Sequence, residues 1–199
     1  MTQPSGSPGA AGATGATGAT GPPPGGRPAG HPDASTEEGR RLLVRALNSR
    51  LPTKRAIAQG VLRNVAGEVL FCQLTYKREW DLPGGVVDPS ESPATCVVRE
   101  VFEELGVEVT VRRLLAVNWL PPWRGWDDAV LFLFDLGTVP DDFLARARLL
   151  PREIRAVHWR SPGDAEPHLA PYTARMLEVA LDLEHPAYLE NSEHRGTGG

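Results

Sequence analysis

The chain has 199 residues, 21 Lys and Arg against 25 Asp and Glu, and a pI near 5.8. That allows one ordinary domain with some extra length, and it offers no sequence-wide basic excess for nucleic acid or an anionic membrane surface. Cys72 and Cys96 sit in apolar runs without metal-type spacing and are too few for a disulfide framework, so a reducing, cytoplasmic setting is expected, with no leader-like start and no run of roughly 18 apolar residues to span a membrane.

Residues 1–33 are mostly Gly, Ala, Thr, Pro and Ser, with almost no large apolar side chains to offset the entropy of ordering, and are expected to form a disordered tail. Gly9, Gly12, Gly15, Gly18 and Gly21 recur at the collagen period, but Pro24 breaks the run, and the reading is low complexity. Order is expected from Ser35, where Ser35 and Glu38 form a capping-box pattern ahead of Leu42, Leu43, Ala46 and Leu47 at helical spacing. Pro52 closes this N-terminal helical segment, residues 34–52. Next, RAIAQGVLRN and VLFCQLTY flank Ala66-Gly67 and read as a hairpin. Beyond Pro83-Gly84-Gly85 a helix is expected from Ser92 to Leu105. Three apolar runs follow, VEVTVRRLLAVNWL, AVLFLFDLG and IRAVHWRS, and read as strands. A last helix starts near Pro171 with a stripe of Met176, Leu177, Val179, Ala180 and Leu183. Residues 186–199 read as a flexible tail, so the main domain is 53–185. Helix, strands, central helix, strands, helix makes the class α+β with a mixed sheet.

The stretch REVFEELG, residues 99–106, crowds Glu100, Glu103 and Glu104 into an arc of about 100° on the helix surface. Ala94, Val98, Val101 and Leu105 cluster on a different face, so one helix can dock on the sheet and present carboxylates elsewhere. Like charges three and four apart repel, and a hard divalent cation such as Mg²⁺ offsets that repulsion through oxygen ligands. Leu82-Pro83-Gly84-Gly85 ahead of it is a turn that lets backbone approach a ligand closely. Glu91 follows, and Ser90, Ser92 or Pro93 can start the helix.

From residue 85 to 107 the chain reads Gly85, five residues, Glu91, seven residues, then Arg99-Glu100-Val101-Phe102-Glu103-Glu104-Leu105-Gly106-Val107. This resembles the Nudix box at every defined position, and the flanking pattern from about 54 to 183 resembles the Nudix fold. The resemblance implies an α/β/α sandwich and hydrolysis, dependent on Mg²⁺ or Mn²⁺, of a nucleoside diphosphate linked to another moiety X. It further implies Glu100, Glu103, Glu104 and the Gly85 carbonyl as metal ligands. Arg99 is similar to the arginine that orients a box glutamate, and Glu91 supports the site. Metals of this kind polarise the phosphoanhydride and lower the pKa of a bound water. The proton acceptor is left open among Glu100, Glu103 and a later-loop glutamate, for which Glu153 is the best placed by its spacing from Trp159.

For the substrate, NWLPPWRGWDD places Trp123, Trp126 and Arg124 together, a combination that suits stacking on a base near a phosphate. Pro121 or Pro122 falls near the proline that marks some ADP-ribose-cleaving members. Lys77 and Arg78, in YKREW, are candidates to reach substrate phosphates, and Arg78 is taken as a substrate-binding residue. His158 and His168 have no partner at metal-ligand spacing and receive no role. ADP-ribose, a nucleotide sugar or a nucleoside triphosphate are the substrates considered, with a nucleotide-metabolite sensor that lacks turnover as the alternative. A homodimer through the helix after Ser35 and a monomer fit the pattern equally.

Overall fold

The computed structural model describes residues 32–140 and 142–194, so the Gly-rich run and nearly all of the expected tail at 1–33 lie outside the described residues. The chain divides into two compact units between Leu51 and Pro52.

In the first unit, α1 (Glu37–Asn48) is capped by Thr36, not by Ser35. The Thr36 side chain accepts from the Gly39 N–H at 3.0 Å, with Thr36 in the extended conformation that a cap requires. Ser35 is diverted because its N–H and hydroxyl both bond Asp33 Oδ1, at 3.0 and 2.7 Å. Glu37 pairs with Arg40 and Arg41 one turn on.

Among the described residues the second unit is built on nine strands: β1 (Arg55–Arg63), β2 (Val69–Leu74), β3 (Trp80–Asp81), β4 (Gly84–Val86), β5 (Arg113–Leu120), β6 (Ala129–Thr138), β7 (Ile154–Arg160), β8 (Ala187–Glu190) and β9 (Glu193–His194). Its helices are α2 (Pro93–Leu105), α3 (Phe143–Arg146), α4 (Pro162–Ala165) and α5 (Pro171–Asp182). The strand path runs β3-β2-β1-β6-β5-β8-β9, with β4 also on β1 and β7 also on β2. Parallel pairs (β1 with β6, β5 with β8) and antiparallel pairs coexist, so the sheet is mixed.

The expected hairpin closes with a single rung, Arg63 opposite Val69. Past that rung β1 gives its edges to β6 and β4, while β2 turns to β7. The fork between them is bridged by Gln59 Nε2, which donates to the buried Asp81 Oδ1 at 2.8 Å. Residues 107–112, read as part of a strand, fall outside β5.

Apolar alternation on the central strands loads both faces of the sheet. Phe71, Leu115, Leu131 and Leu133 pack with Met176 and Leu177 of α5 on one face. Leu62, Leu70 and Cys72 pack with Val97, Val101 and Leu105 of α2 on the other. One helix on each face makes the α/β/α sandwich that the box resemblance implies. Full burial of each such side chain contributes about 1.5–3 kcal/mol before entropy is counted. No helix among the described residues is long and apolar enough to cross a membrane.

The C-terminal stretch differs most from its reading as a flexible tail. β8 adds to β5 in parallel, Ala187 and Leu189 are buried, and the fully buried Asn118 accepts from the Ser192 N–H at 3.0 Å and donates to its Oγ at 2.9 Å. Ser192 Oγ in turn donates to the Tyr172 carbonyl at 2.7 Å. Sequence polarity misleads here because a four-residue strand added beside β5 needs only two inward apolar side chains and one polar anchor. Residues 195–199 lie outside the described residues.

His158 and His168, which had no role, both stack on the Trp80 ring in near-parallel planes, with centroids at 3.9 and 4.2 Å. Burial is the first cause that holds the His158 pKa below its usual value.

The Asn118 anchor generates a prediction. Asn118→Ala strands the buried Ser192 N–H, so urea unfolding should show a loss of about 1–3 kcal/mol. An unchanged midpoint for Asn118→Ala would show that β8 contributes nothing to the fold.

Candidate active site

Helix α2 begins where the sequence can start one. Ser92 is extended and its Oγ accepts from the Thr95 N–H at 3.1 Å, and Pro93 opens the first turn. It ends at Gly106, whose left-handed φ of 67° lets its N–H return to the Phe102 carbonyl at 2.8 Å. Just ahead, β4 lays Gly84 and Gly85 against Gln59 and Ala58 of β1. Gly84 has φ 138°, and a Cβ there would lie 2.1 Å from the Ala58 carbonyl oxygen, so only glycine fits.

The three glutamates leave this helix into three environments. Glu104 is buried, 5% exposed, and accepts from the Gly84 N–H at 3.0 Å. Burial is the first cause that pushes its carboxyl up to about 8, and the neighbouring charges of Glu100, Asp81 and Glu153 add to it against the pull of the Gly84 N–H. Glu100 lies against the turn so closely that a Cβ on Gly85 would meet its Oε1 at 2.4 Å. Its pKa is also raised, first by burial. Glu103 projects outward, its side chain 53% exposed. The docking face accordingly centres on Cys96, Val97, Val101, Glu104 and Leu105, not on the Ala94 and Val98 side expected from the wheel, and Ala94 and Val98 are only partly buried.

Arg99 ties the cluster together. Its Nε and Nη2 donate to the two oxygens of Glu91 at 2.9 Å each, and Nη1 donates to Glu100 at 2.9 Å and to Glu103 at 3.3 Å. The Arg99 hydrogen bonds hold the Glu91 carboxyl at about 2, with help from the Asp88 N–H, and the Arg99 pKa rises in return. Cys96 is tucked beneath, its thiol near the Val86 carbonyl and pushed up to about 12 by burial first. A thiol this basic stays protonated and is no nucleophile.

Glu153 belongs to this site electrostatically. The Leu150 N–H bonds the Glu104 carbonyl at 3.0 Å, the Glu153 N–H bonds the Leu150 carbonyl at 3.0 Å, and the Thr75 N–H bonds the Glu153 carbonyl at 2.9 Å. The loop that carries Glu153 is therefore fastened to the end of α2, and its charge raises the pKa of both Glu100 and Glu104.

The residues present fit a hard divalent cation. A buried carboxyl, a half-buried carboxylate pressed on a glycine backbone and an outward carboxylate form an all-oxygen donor set whose mutual repulsion calls for positive charge. Among the described residues no three His, Cys, Asp or Glu side chains stand together in an arrangement that could by itself hold a metal ion. Arg99 draws Glu100 and Glu103 toward itself, and Glu104 turns to Gly84.

Of the residues proposed for substrate, Trp123, Arg124 and Trp126 come together on the loop between β5 and β6. Arg124 lies over the Trp123 ring at 4.1 Å. Arg78 is exposed on the turn between β2 and β3, whereas its neighbour Lys77 is part-buried and paired with Asp81. Sequence reading missed Arg55, whose guanidinium lies over Trp126 at 4.5 Å, and Asp81, which takes Gln59, Lys77 and the Leu82 N–H. An arginine at the first position of a strand carries no signal of its own; the loop that meets it is 71 residues away.

Comparisons with known proteins bear on the family and the fold. Residues 53–181 match the family described as NUDIX domain. A MutT-like protein of Streptomyces ambofaciens is 33% identical over 135 residues, spanning 68% of this chain and 82% of that protein. An RNA pyrophosphohydrolase of Yersinia enterocolitica serotype O:8 is 39% identical over 62 residues, 30% of this chain and 35% of that protein. The crystal structure of the MutT protein from Methanosarcina mazei Go1 superposes with a TM-score of 0.55 at 27% identity, covering 65% of this chain and 96% of that one.

The Glu91–Arg99 pair predicts an acid-side signature. Because the folded pKa lies near 2 and the ordinary value is 4.5, the pair stabilises the fold fully above about pH 4.5, and that contribution is lost as pH falls toward 2. Glu91→Gln should be less stable than wild type at pH 7, with the gap closing as pH falls from about 4.5 to about 2 in denaturant titrations. A gap independent of pH would show that the pair does not titrate as the geometry requires.

Proposed function

The chain belongs to the Nudix family, and from that premise we propose that it is a pyrophosphohydrolase that cleaves the phosphoanhydride of a nucleoside diphosphate linked to another moiety X. The observation that carries this reading is the cluster in which Arg99 gathers Glu91, Glu100 and Glu103 while Glu100 and Glu104 press on the Gly84–Gly85 backbone. A binding module needs no such concentration of opposed carboxylates, since nothing in binding alone rewards the repulsion.

Glu100, Glu103, Glu104 and the Gly85 carbonyl are the proposed ligands of Mg²⁺ or Mn²⁺, which when bound would polarise the anhydride, neutralise charge on the leaving phosphate and acidify a water. The chain's own part is positioning. Arg99 orients Glu100 and Glu103 through one nitrogen, and its bidentate grip on Glu91 keeps that nitrogen in place. Glu153 stands outside the Arg99 cluster on a loop tied to α2, its side chain 40% exposed, and is the proposed acceptor of the water proton alongside Glu100 and Glu103. Trp123, Trp126 and Arg124 are the proposed contacts to a base and phosphate, with Arg78 at the rim. ADP-ribose, a nucleotide sugar and a nucleoside triphosphate are the substrates this set suits. The free, buried thiols of Cys72 and Cys96 suit a reducing compartment such as the cytoplasm.

The test is turnover of ADP-ribose, nucleotide sugars, dinucleoside polyphosphates and nucleoside triphosphates with Mg²⁺ and with Mn²⁺, in wild type, Glu103→Gln and Glu153→Gln. Cleavage at the anhydride is expected, with Glu103→Gln at least about a hundredfold slower and Glu153→Gln slowed mainly in kcat. Nucleotide binding without turnover across the panel would replace this reading with that of a sensor.

A further inference from the structure

The exit of β2 and the entry of β7 meet at Thr75. Along the β2–β7 ladder Gln73 faces Ala156 and Leu74 faces Ile154, so Arg155 is an extra residue on β7 and the register shifts there. A bulge of this kind bends its strand and re-aims a side chain next to it. Here it turns Ile154 into the α2-side core, where Ile154 and Leu74 are both buried. The residue just ahead of Ile154 is Glu153.

Thr75 takes hold of both peptide groups that flank the Glu153 Cα. Its N–H donates to the Glu153 carbonyl at 2.9 Å, and its Oγ1 donates to the Arg152 carbonyl at 2.7 Å. Each peptide group is planar, so anchoring the two fixes the backbone torsions of Glu153 between them. The N–H groups of Glu153 and Ile154 both go to the Leu150 carbonyl, at 3.0 and 2.8 Å, and that of Leu150 goes to the Glu104 carbonyl. One end of the loop is therefore set by α2 and the other by Thr75. What stays free is the Glu153 side chain, whose Oε1 accepts from Arg152 Nε at 3.2 Å and whose charge reaches Glu100 and Glu104.

Strand chemistry does not ask for a hydroxyl at this position. A valine suits the end of a strand as well as a threonine, and the Thr75 N–H alone continues the ladder. Thr75 and Arg152 are both exposed, where water serves the Arg152 carbonyl equally. The hydroxyl bond therefore adds little to the fold, and what it adds is the placement of Glu153.

We propose that Thr75 is a positioning residue for the hydrolysis, holding Glu153 where its carboxylate takes the proton of the attacking water. In that step the proton passes to a Glu153 oxygen, the water oxygen bonds phosphorus, and the bridging P–O bond breaks with its electron pair going to the leaving phosphate. Thr75 acts through the backbone of residues 152 and 153. The inference rests on the pyrophosphohydrolase reading with Glu153 as acceptor, and it names the group that gives that acceptor its place.

Steady-state kinetics on the substrate of the panel that is cleaved compares wild type, Thr75→Val, Thr75→Ser, Glu153→Gln and the double variant Thr75→Val with Glu153→Gln. Thr75→Val should lower kcat about three- to tenfold with KM within about twofold, and Thr75→Ser should restore it. The double variant should be no slower than Glu153→Gln alone, because a misplaced acceptor costs nothing once the acceptor is gone. Amide hydrogen exchange gives a readout without substrate or metal: the Glu153 and Ile154 N–H groups should exchange about threefold or more faster in Thr75→Val than in wild type. Wild-type kcat in Thr75→Val, losses that multiply in the double variant, no recovery in Thr75→Ser, or unchanged exchange at residues 153 and 154 overturns the role of Thr75 while the hydrolase reading stands. If wild type cleaves nothing in the panel, the hydrolase reading itself fails and the role of Thr75 falls with it.

Discussion

Three carboxylates within two turns of α2 repel one another, and the surrounding structure is arranged around that repulsion. Arg99 meets it from the solvent side, donating to Glu91, Glu100 and Glu103 at once. The turn meets it from the protein side, because Gly84 offers an N–H to Glu104 and Gly85 leaves room for Glu100 where any side chain would collide. Neither answer is complete. Glu104 remains pushed up to about 8, the mark of a buried acid that still lacks a full counter-charge at neutral pH.

That constraint explains features at some distance. β4 must hug β1 to place the two glycines, which is why β1 parts from β2 after one rung and Gln59 and Asp81 bridge the fork. The loop after α3 must return to the end of α2, where Arg148 and Leu150 bond the carbonyls of Leu105 and Glu104, and this return brings Glu153 into the field of the cluster. At the other end of β1, the Trp123–Trp126 tip meets Arg55.

The carboxylate cluster was legible in the sequence because helical periodicity and fixed spacing convert directly into geometry, and Ser92, Pro93 and Gly106 mark where that helix starts and stops. What the period could not say is how deep each glutamate lies, since Glu104 is buried by the sheet and by the 148–150 loop rather than by its own helix. The cap moved from Ser35 to Thr36 because Asp33 competes for the serine, a contest between hydrogen bonds of similar strength that pattern alone does not decide. β8 was hidden because its stability comes from Asn118 and Tyr172, both remote in sequence. Arg55, Lys77 and Asp81 were missed or underweighted for the same reason: each acquires meaning only from a partner brought to it by the fold.

We propose that α2 and the Gly84–Gly85 turn together hold a divalent cation. Titration of Mn²⁺ followed by electron paramagnetic resonance, in wild type and in Glu100→Gln, tests it without any substrate. Saturable binding by wild type is expected, with an affinity at least about tenfold weaker in the variant, since a carboxylate ligand is replaced by a neutral amide. Equal affinity in the two proteins, or no saturable binding by wild type, would contradict it.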